Sequence, residues 1–341
     1  MKMLRHIQTR IVLLVLVGVI ALGVGAGLAF ASKKAAPIGT GVVVINTNLA
    51  YENGSAAGTG IVLSSSGEIL TNNHVISGAT SIKVVLPGTG HSYTAHVVGY
   101  SKTADVAVIQ VTGASNLKTL SIGSKATVGQ AITALGNAGG TGALTSATGT
   151  VTGLGKTITA SDGQGTSEQL TALIEINAAV QPGDSGGPLL DSAGKVIGMN
   201  TAASAGSGFQ DVAVSDAYAI PIAKAVTIAH QIESGKASST IHVGATAFLG
   251  VQVQSLDYGY GSQAGSGALI AGVVAGGPAA KAGLAAGDVI TAINGRAVVS
   301  PTAITARILT MKPGAKIAIA YTDQSGTSRT RSLTLGSGPA Q

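Results

Sequence analysis

Gly183-Asp184-Ser185-Gly186-Gly187-Pro188 is the run in this chain best suited to do chemistry. A serine hydroxyl is a weak nucleophile until a base takes its proton and donors stabilise the oxyanion its attack creates. Glycines on both sides let the backbone turn sharply, aim two N–H groups into one hole and leave room for a carbonyl. A bare Gly-rich turn is the plain alternative in a chain with 50 glycines. Six specified positions in a row disfavour it.

A nucleophilic Ser185 needs a histidine and an orienting carboxylate. His6 lies in the N-terminal leader, His91 and His96 flank a polar turn, and His230 and His242 lie near a helix and a linker. His74 stands in Leu70-Thr71-Asn72-Asn73-His74-Val75-Ile76, directly after an apolar strand, where Thr and Asn suit a held imidazole. Two aspartates precede the serine run after His74. Asp162 sits in a Gly-rich loop, where a carboxylate is simply hydrated. Asp105 opens the apolar strand Val106–Val111, and a carboxylate partly buried there is costly without a partner. An imidazole N–H supplies one, so Asp105 is the expected third member.

The elements that must position these residues are short and β-branched. Apolar runs at Val42–Ile45, Gly60–Leu63, Ile69–Leu70, Ile82–Leu86, His96–Gly99, Val106–Val111, Ala131–Leu135, Gly149–Val151, Ala172–Ile176 and Lys195–Met199 are separated by Gly-rich turns. That spacing predicts a sandwich or barrel. Ile222–Ile232 has helical spacing with Gly235 just past it, and Glu233–Ser239 reads as a linker. From about Gly244 an α+β module begins, with a helix over Pro301–Met311 capped by Ser300 and final strands at Lys316–Tyr321 and Thr327–Leu335.

Composition excludes several function classes. With no cysteine, disulfide scaffolds, thiolate zinc sites, iron–sulfur clusters and cysteine nucleophiles are ruled out together. No metal-ligand cluster or phosphate loop appears, and no cofactor is expected. The net charge of +6 is uneven. Residues 1–34 carry five bases and no acid, residues 35–243 eight bases against eleven acids, and the remainder seven against three. No aromatic residues interleave with the bases, which argues against nucleic acid. Ile11–Ala31 is an uncharged stretch of 21 residues. At about 1.5 Å per residue it can cross a hydrocarbon core about 30 Å thick. Lys2, Arg5 and Arg10 before it favour an inner N-terminus and an outer body. Ala29-Phe30-Ala31 also has the form of a signal-peptidase site, but the apolar core is longer than a usual signal, which favours an uncleaved anchor.

The chain resembles the HtrA/Deg group of chymotrypsin-like serine proteases. The order His74, Asp105, Ser185 carries the resemblance, together with Gly58-Thr59-Gly60-Ile61-Val62-Leu63, Ile69–Val75, Ala104-Asp105-Val106-Ala107-Val108, Gly183–Pro188 and Tyr218-Ala219-Ile220-Pro221. Phe248-Leu249-Gly250-Val251, Pro278–Leu284 and Gly287-Asp288-Val289-Ile290 resemble the PDZ domain that follows the protease in that group. The resemblance implies a mainly β fold. A chymotrypsin-like double β-barrel over residues 35–240 precedes an α+β PDZ domain over 244–336, behind an N-terminal transmembrane helix within 1–34.

Carried over by position, Ser185 attacks the scissile carbonyl, His74 is general base and then acid, and Asp105 holds its tautomer. The N–H groups of Gly183 and Ser185 form the oxyanion hole. Ala179 stands where trypsin-like specificity would place an acid, so a small or medium apolar P1 side chain is expected, with Thr201, Ala202 and Tyr218 as pocket walls. Phe248, Leu249, Gly250 and Val251 would hold a peptide carboxylate, and the edge Val251–Ser255 would accept the peptide as an added strand. The expected partners are unfolded or misfolded exported polypeptides, peptide C-termini and, through residues 11–31, the cell membrane. The short segment Leu49–Gly58 points to a trimer or monomer rather than a large cage. Two other readings stand beside bacterial quality-control proteolysis: a non-catalytic PDZ scaffold, and a regulatory protease for one membrane-associated substrate. One departure is plain. The family usually has Asn before the nucleophile, and here Asp184 stands there without an evident partner.

Overall fold

The computed structural model describes residues 39–51, 54–161, 167–201, 217–256 and 267–340. The expected anchor over residues 11–31 lies outside them. Among the described residues no helix is long and apolar enough to cross a membrane.

Six strands build the first barrel: β1 (Val42–Leu49), β2 (Gly54–Val62), β3 (Glu68–Thr71), β4 (Ser81–Val85), β5 (Ser92–Ser101) and β6 (Val106–Val111), with a one-turn helix α1 (Asn73–Ile76) after β3. They lie in the order β5-β4-β1-β2-β3-β6, and a further β5–β6 pairing closes the ring. Successive side chains of a strand point to opposite faces, and here both faces are buried on the strands that matter. Val43, Ile45, Val62, Ile69 and Ile109 fill the barrel. Ile61, Leu70, Val106 and Val108 point the other way, against Leu173, Met199 and Ile220. Each such side chain contributes about 1.5–3 kcal/mol by leaving water. These β-branched runs therefore form both a barrel lining and a seam.

The second barrel comprises β7 (Ala131–Gly136), β8 (Thr145–Ser161), β9 (Ser167–Ile176), β10 (Pro188–Asp191), β11 (Val196–Thr201) and β12 (Ala217–Pro221). It closes in the order β10-β11-β12-β9-β8-β7, around Ile132, Val151, Ile174, Ile176, Leu189 and Ile197. Helix α2 (Ile222–Glu233) follows and buries Ile222, Ala225, Ala229 and Ile232, the face its spacing predicts, in the seam cluster.

Of the predicted linker Glu233–Ser239, Glu233 closes α2, and β13 (His242–Val243) follows the rest, pairing with β5 and so extending the first sheet. The C-terminal module then runs β14 (Thr246–Phe248), β15 (Val251–Gln254), β16 (Ala268–Val273), α3 (Pro278–Lys281), β17 (Val289–Ile293), β18 (Arg296–Ala297), α4 (Pro301–Ile308), β19 (Lys316–Thr322), β20 (Ser328–Thr334) and β21 (Gly336–Gly338). Its main sheet has the order β15-β16-β17-β19-β20, with β18 on β17. A separate core of Ile270, Ile290, Ile293, Ile304, Ile319 and Leu335 lies beneath it. Ser300 caps α4 as expected, its hydroxyl accepting from the Ala303 N–H at 3.3 Å. The helix is shorter than Pro301–Met311, giving way to turns over its last residues.

The last described residues tie this module back to the first barrel. β14 pairs with β21, and Ala340 beyond it is buried in the first barrel's core. The Gly78 N–H donates to the Ala340 carbonyl at 2.9 Å, two residues past α1. An Ala340→Asp substitution places an unpaired carboxylate at this site, a charge whose burial costs several kcal/mol. The segment is expected to detach, so amide exchange at Gly78 should accelerate and the melting temperature fall by a few degrees. Unchanged exchange at Gly78 would contradict the docking.

Candidate active site

Helix α1 buries Asn73, Val75 and Ile76 and leaves His74 as its outward residue, with 47% of the side chain exposed. A one-turn helix anchored by its neighbours thus presents a single imidazole. The Lys102–Asp105 turn ends with the Asp105 N–H on the Lys102 carbonyl at 2.9 Å, and Asp105 has a positive φ of 53°. Few residues other than glycine adopt that backbone, and Asp is among those that tolerate it. β6 starts at the next residue with Val106 and Val108 in the seam, so the Asp105 side chain, 5% exposed, enters there.

The carboxylate is satisfied from three directions. The His74 backbone N–H donates to Oδ1 at 3.0 Å, the His74 Nδ1 lies 2.9 Å from Oδ2, and the Thr201 hydroxyl donates to Oδ2 at 3.0 Å. The Asn72 side-chain amide holds the Asp105 carbonyl at 2.9 Å. Packing around the imidazole works to lower its pKa. The charge and hydrogen bond of Asp105 outweigh that effect and hold His74 above the ordinary histidine value.

The Ser185 turn is built from close backbone approaches. A Cβ on Gly183 would lie 2.1 Å from the Asn137 carbonyl, and one on Gly186 equally close to the Thr59 carbonyl, at 2.1 Å. Both have positive φ, 98° and 84°, so a side chain fits at neither position. Thr59, fully buried on β2, is the tie. Its N–H donates to the Ser185 carbonyl at 2.8 Å, and its hydroxyl donates to the Gly183 carbonyl at 2.7 Å while accepting from the Asn137 N–H at 2.9 Å. Gly58 next to it marks where α1 and this turn converge. A Cβ there would meet Val75 at 2.6 Å and the Ser185 carbonyl at 3.3 Å. His74, Asp105 and the Ser185 turn are therefore gathered at one seam, with Ser185 only 4% exposed.

The expected pocket residues are more scattered. Ala179 is exposed on the loop before the turn, while its neighbour Ala178 is the one buried. Thr201, expected as a pocket wall, directs its hydroxyl to Asp105. Tyr218 is half-buried opposite it on β12. Ala202 and Asp162 lie outside the described residues. The hydroxyls of Thr59 and Thr201 are the working groups that residue types alone did not single out; the sequence signal was only their place beside glycine and Asn200.

In the C-terminal module the Leu249 and Gly250 carbonyls accept from the Ala279 and Val274 N–H groups, each at 3.0 Å. The Phe248 ring stacks on Tyr51 of the β1–β2 connection with centroids 5.2 Å apart. Among the described residues β15 is an outer strand of its sheet, paired with β16. Among the described residues no cluster of three or more His, Asp or Glu side chains is arranged to hold a metal.

Residues 58–199 match the trypsin-like peptidase domain family, and residues 247–330 match the PDZ domain family. The serine protease PepD of Mycobacterium tuberculosis is 36% identical over 320 residues, covering 89% of this chain and 65% of that protein. A probable periplasmic serine endoprotease, DegP-like, of Bartonella henselae is 38% identical over 271 residues, covering 77% of this chain and 50% of its own. The chain thus spans half to just under two thirds of the length of these relatives. Among solved structures, a variant of the HtrA-type protease AlgW with a tripeptide is 30% identical with a TM-score of 0.50, covering 89% of this chain and 95% of its own.

If Asp105 is what holds His74 above its ordinary pKa, Asp105→Asn should leave only the opposing effect of packing. NMR titration of the His74 ring is then expected to show a pKa lower by about one unit or more. An unchanged pKa would separate the two residues electrostatically.

Proposed function

Because this chain belongs to the HtrA-type family of trypsin-like serine proteases, we propose that it is a serine endopeptidase using Ser185, His74 and Asp105. The observation that carries this reading is the Asp105 carboxylate, which engages His74 Nδ1 and leaves Nε2 for the nucleophile. Nε2 takes the Ser185 proton as the hydroxyl attacks the scissile carbonyl, then returns it to the leaving amine. Asp105 keeps the tautomer and stabilises the imidazolium, and the Thr201 hydroxyl keeps the carboxylate in place. The Gly183 and Ser185 N–H groups receive the oxyanion. Support for that assignment comes from the bonds on the two peptide planes that carry these N–H groups: the Pro182 carbonyl accepts from the Gly139 N–H at 2.8 Å and the Asp184 carbonyl from the Gly187 N–H at 2.9 Å.

Residues 35–240 form the catalytic part of this reading and residues 244–336 a PDZ domain. The outer strand β15 takes up a peptide by strand addition, with its terminal carboxylate at Phe248, Leu249, Gly250 and Val251. The substrates are unfolded or misfolded exported polypeptides with apolar P1 side chains, in a pocket formed by Ala179, Thr201, Ala202 and Tyr218. Support for this comes from the lack of charge at those positions and from relatives named as periplasmic endoproteases. Residues 11–31 anchor the chain, with the catalytic part on the outer side of the cell membrane.

Incubation of the full chain with unfolded casein tests the reading. Cleavage is expected for the parent and only background for Ser185→Ala. Activity should rise with pH as His74 loses its proton, with a midpoint above the ordinary histidine value of about 6.5, because the raised pKa keeps the ring charged further up the scale. Equal cleavage by parent and Ser185→Ala would overturn it.

A further inference from the structure

Asp184 is 5% exposed and closes the turn that carries Ser185. Its Oδ2 accepts from the Gln181 N–H at 2.9 Å, while its own N–H returns a bond to the Gln181 carbonyl at 3.0 Å. Its carbonyl takes the Gly187 N–H at 2.9 Å. The second carboxylate oxygen, Oδ1, is buried with no hydrogen-bond partner among the described residues. It faces the bare backbone of Gly136, where an added Cβ would lie 2.6 Å away.

Among the described residues no cation is paired with this carboxylate. β7, the 137–144 loop, the described part of β2 and β11 carry no charged residue. β3 and β10 contribute only Glu68 and Asp191, each at the far end of its strand. On α1 and the Lys102–Asp105 turn, His74 and Asp105 are engaged with each other, and Lys102 is exposed. A charged carboxylate with one oxygen unserved in such a place costs far more than a neutral acid there.

We propose that Asp184 is a positioning residue that closes the Gln181–Gly187 turn better as a neutral carboxylic acid than as a carboxylate, so that the turn carrying Ser185 is firmer at acid than at alkaline pH. The inference rests on the reading of Ser185 as the nucleophile. Burial pushes the Asp184 carboxyl above its ordinary value, and the Gln181 N–H offsets this only in part. A carboxyl with a raised folded-state pKa favours the fold fully below its unfolded value. That contribution is lost as the pH climbs through the folded value. Asn in this position would keep the bond from Gln181 through its carbonyl and place an amide N–H where the acid carries its proton, independent of pH.

The test compares the full chain with Asp184→Asn from about pH 3, below the ordinary Asp value of about 3.9, to about pH 9, following thermal unfolding and casein hydrolysis. The variant is expected to match the parent at the acid end. Its melting temperature should move progressively above the parent's as the pH rises. Over the same range the parent's kcat should fall several-fold relative to the variant's, with KM unchanged. A constant difference in melting temperature would overturn the proposal, and so would a widening difference with a constant kcat ratio, which would make Asp184 merely structural. If neither protein cleaves casein at any pH while the melting difference still widens, the clamp stands and the nucleophile reading fails.

Discussion

A carboxylate shut into the seam between two barrels has to be satisfied, and at Asp105 the answer to that requirement organises the site. An ionised group this deep is tolerable only with donors on both oxygens. Those donors come from α1, through the His74 N–H and imidazole, and from the end of β11, through Thr201. Asp105 therefore fixes the mutual position of elements from both barrels. It does so from a left-handed backbone conformation that only the tight turn before β6 imposes. The imidazole gains its orientation and its raised affinity for a proton from the same contacts.

The seam itself is a consequence of period-two patterning with no polar face. β2, β3 and β6 bury one set of side chains inside the first barrel and the alternate set against the second. A closed barrel would ordinarily leave that outer face wet; here its burial brings β2 against the loop between β9 and β10. Thr59 then makes a backbone bond and a hydroxyl bond to the Ser185 turn, and the glycines of that turn permit an approach no side chain would allow. Rigidity at the candidate nucleophile thus derives from strand packing rather than from the loop's own sequence.

This division explains what could be read from the residues. His74 and Asp105 stood out because histidine and aspartate are scarce here and an apolar strand makes a buried acid conspicuous; the structure places them within hydrogen-bonding distance. β6 was legible as an unbroken apolar run, and α2 from its helical spacing, since burial on a regular face leaves a regular pattern. The hydroxyl bonds of Thr59 and Thr201 were not, because they join residues 124 and 96 positions apart and threonine is common in any β protein. The pairing of β14 with β21 was hidden for a related reason: short Gly-rich segments, far apart in the chain, carry no alternation. The placement of Ala179 was also opaque, since its exposure depends on how the loop leaves β9 and not on its own chemistry. The anchor rests on hydropathy alone.

The central claim is that packing and Asp105 together make Ser185 a nucleophile served by His74. Treatment of the full chain with a fluorophosphonate, followed by mass spectrometry of its peptides, tests this without any assumption about substrate. The account predicts one adduct, on Ser185, that is lost in His74→Ala. An unlabelled Ser185 in the parent, or labelling that survives His74→Ala undiminished, would contradict it.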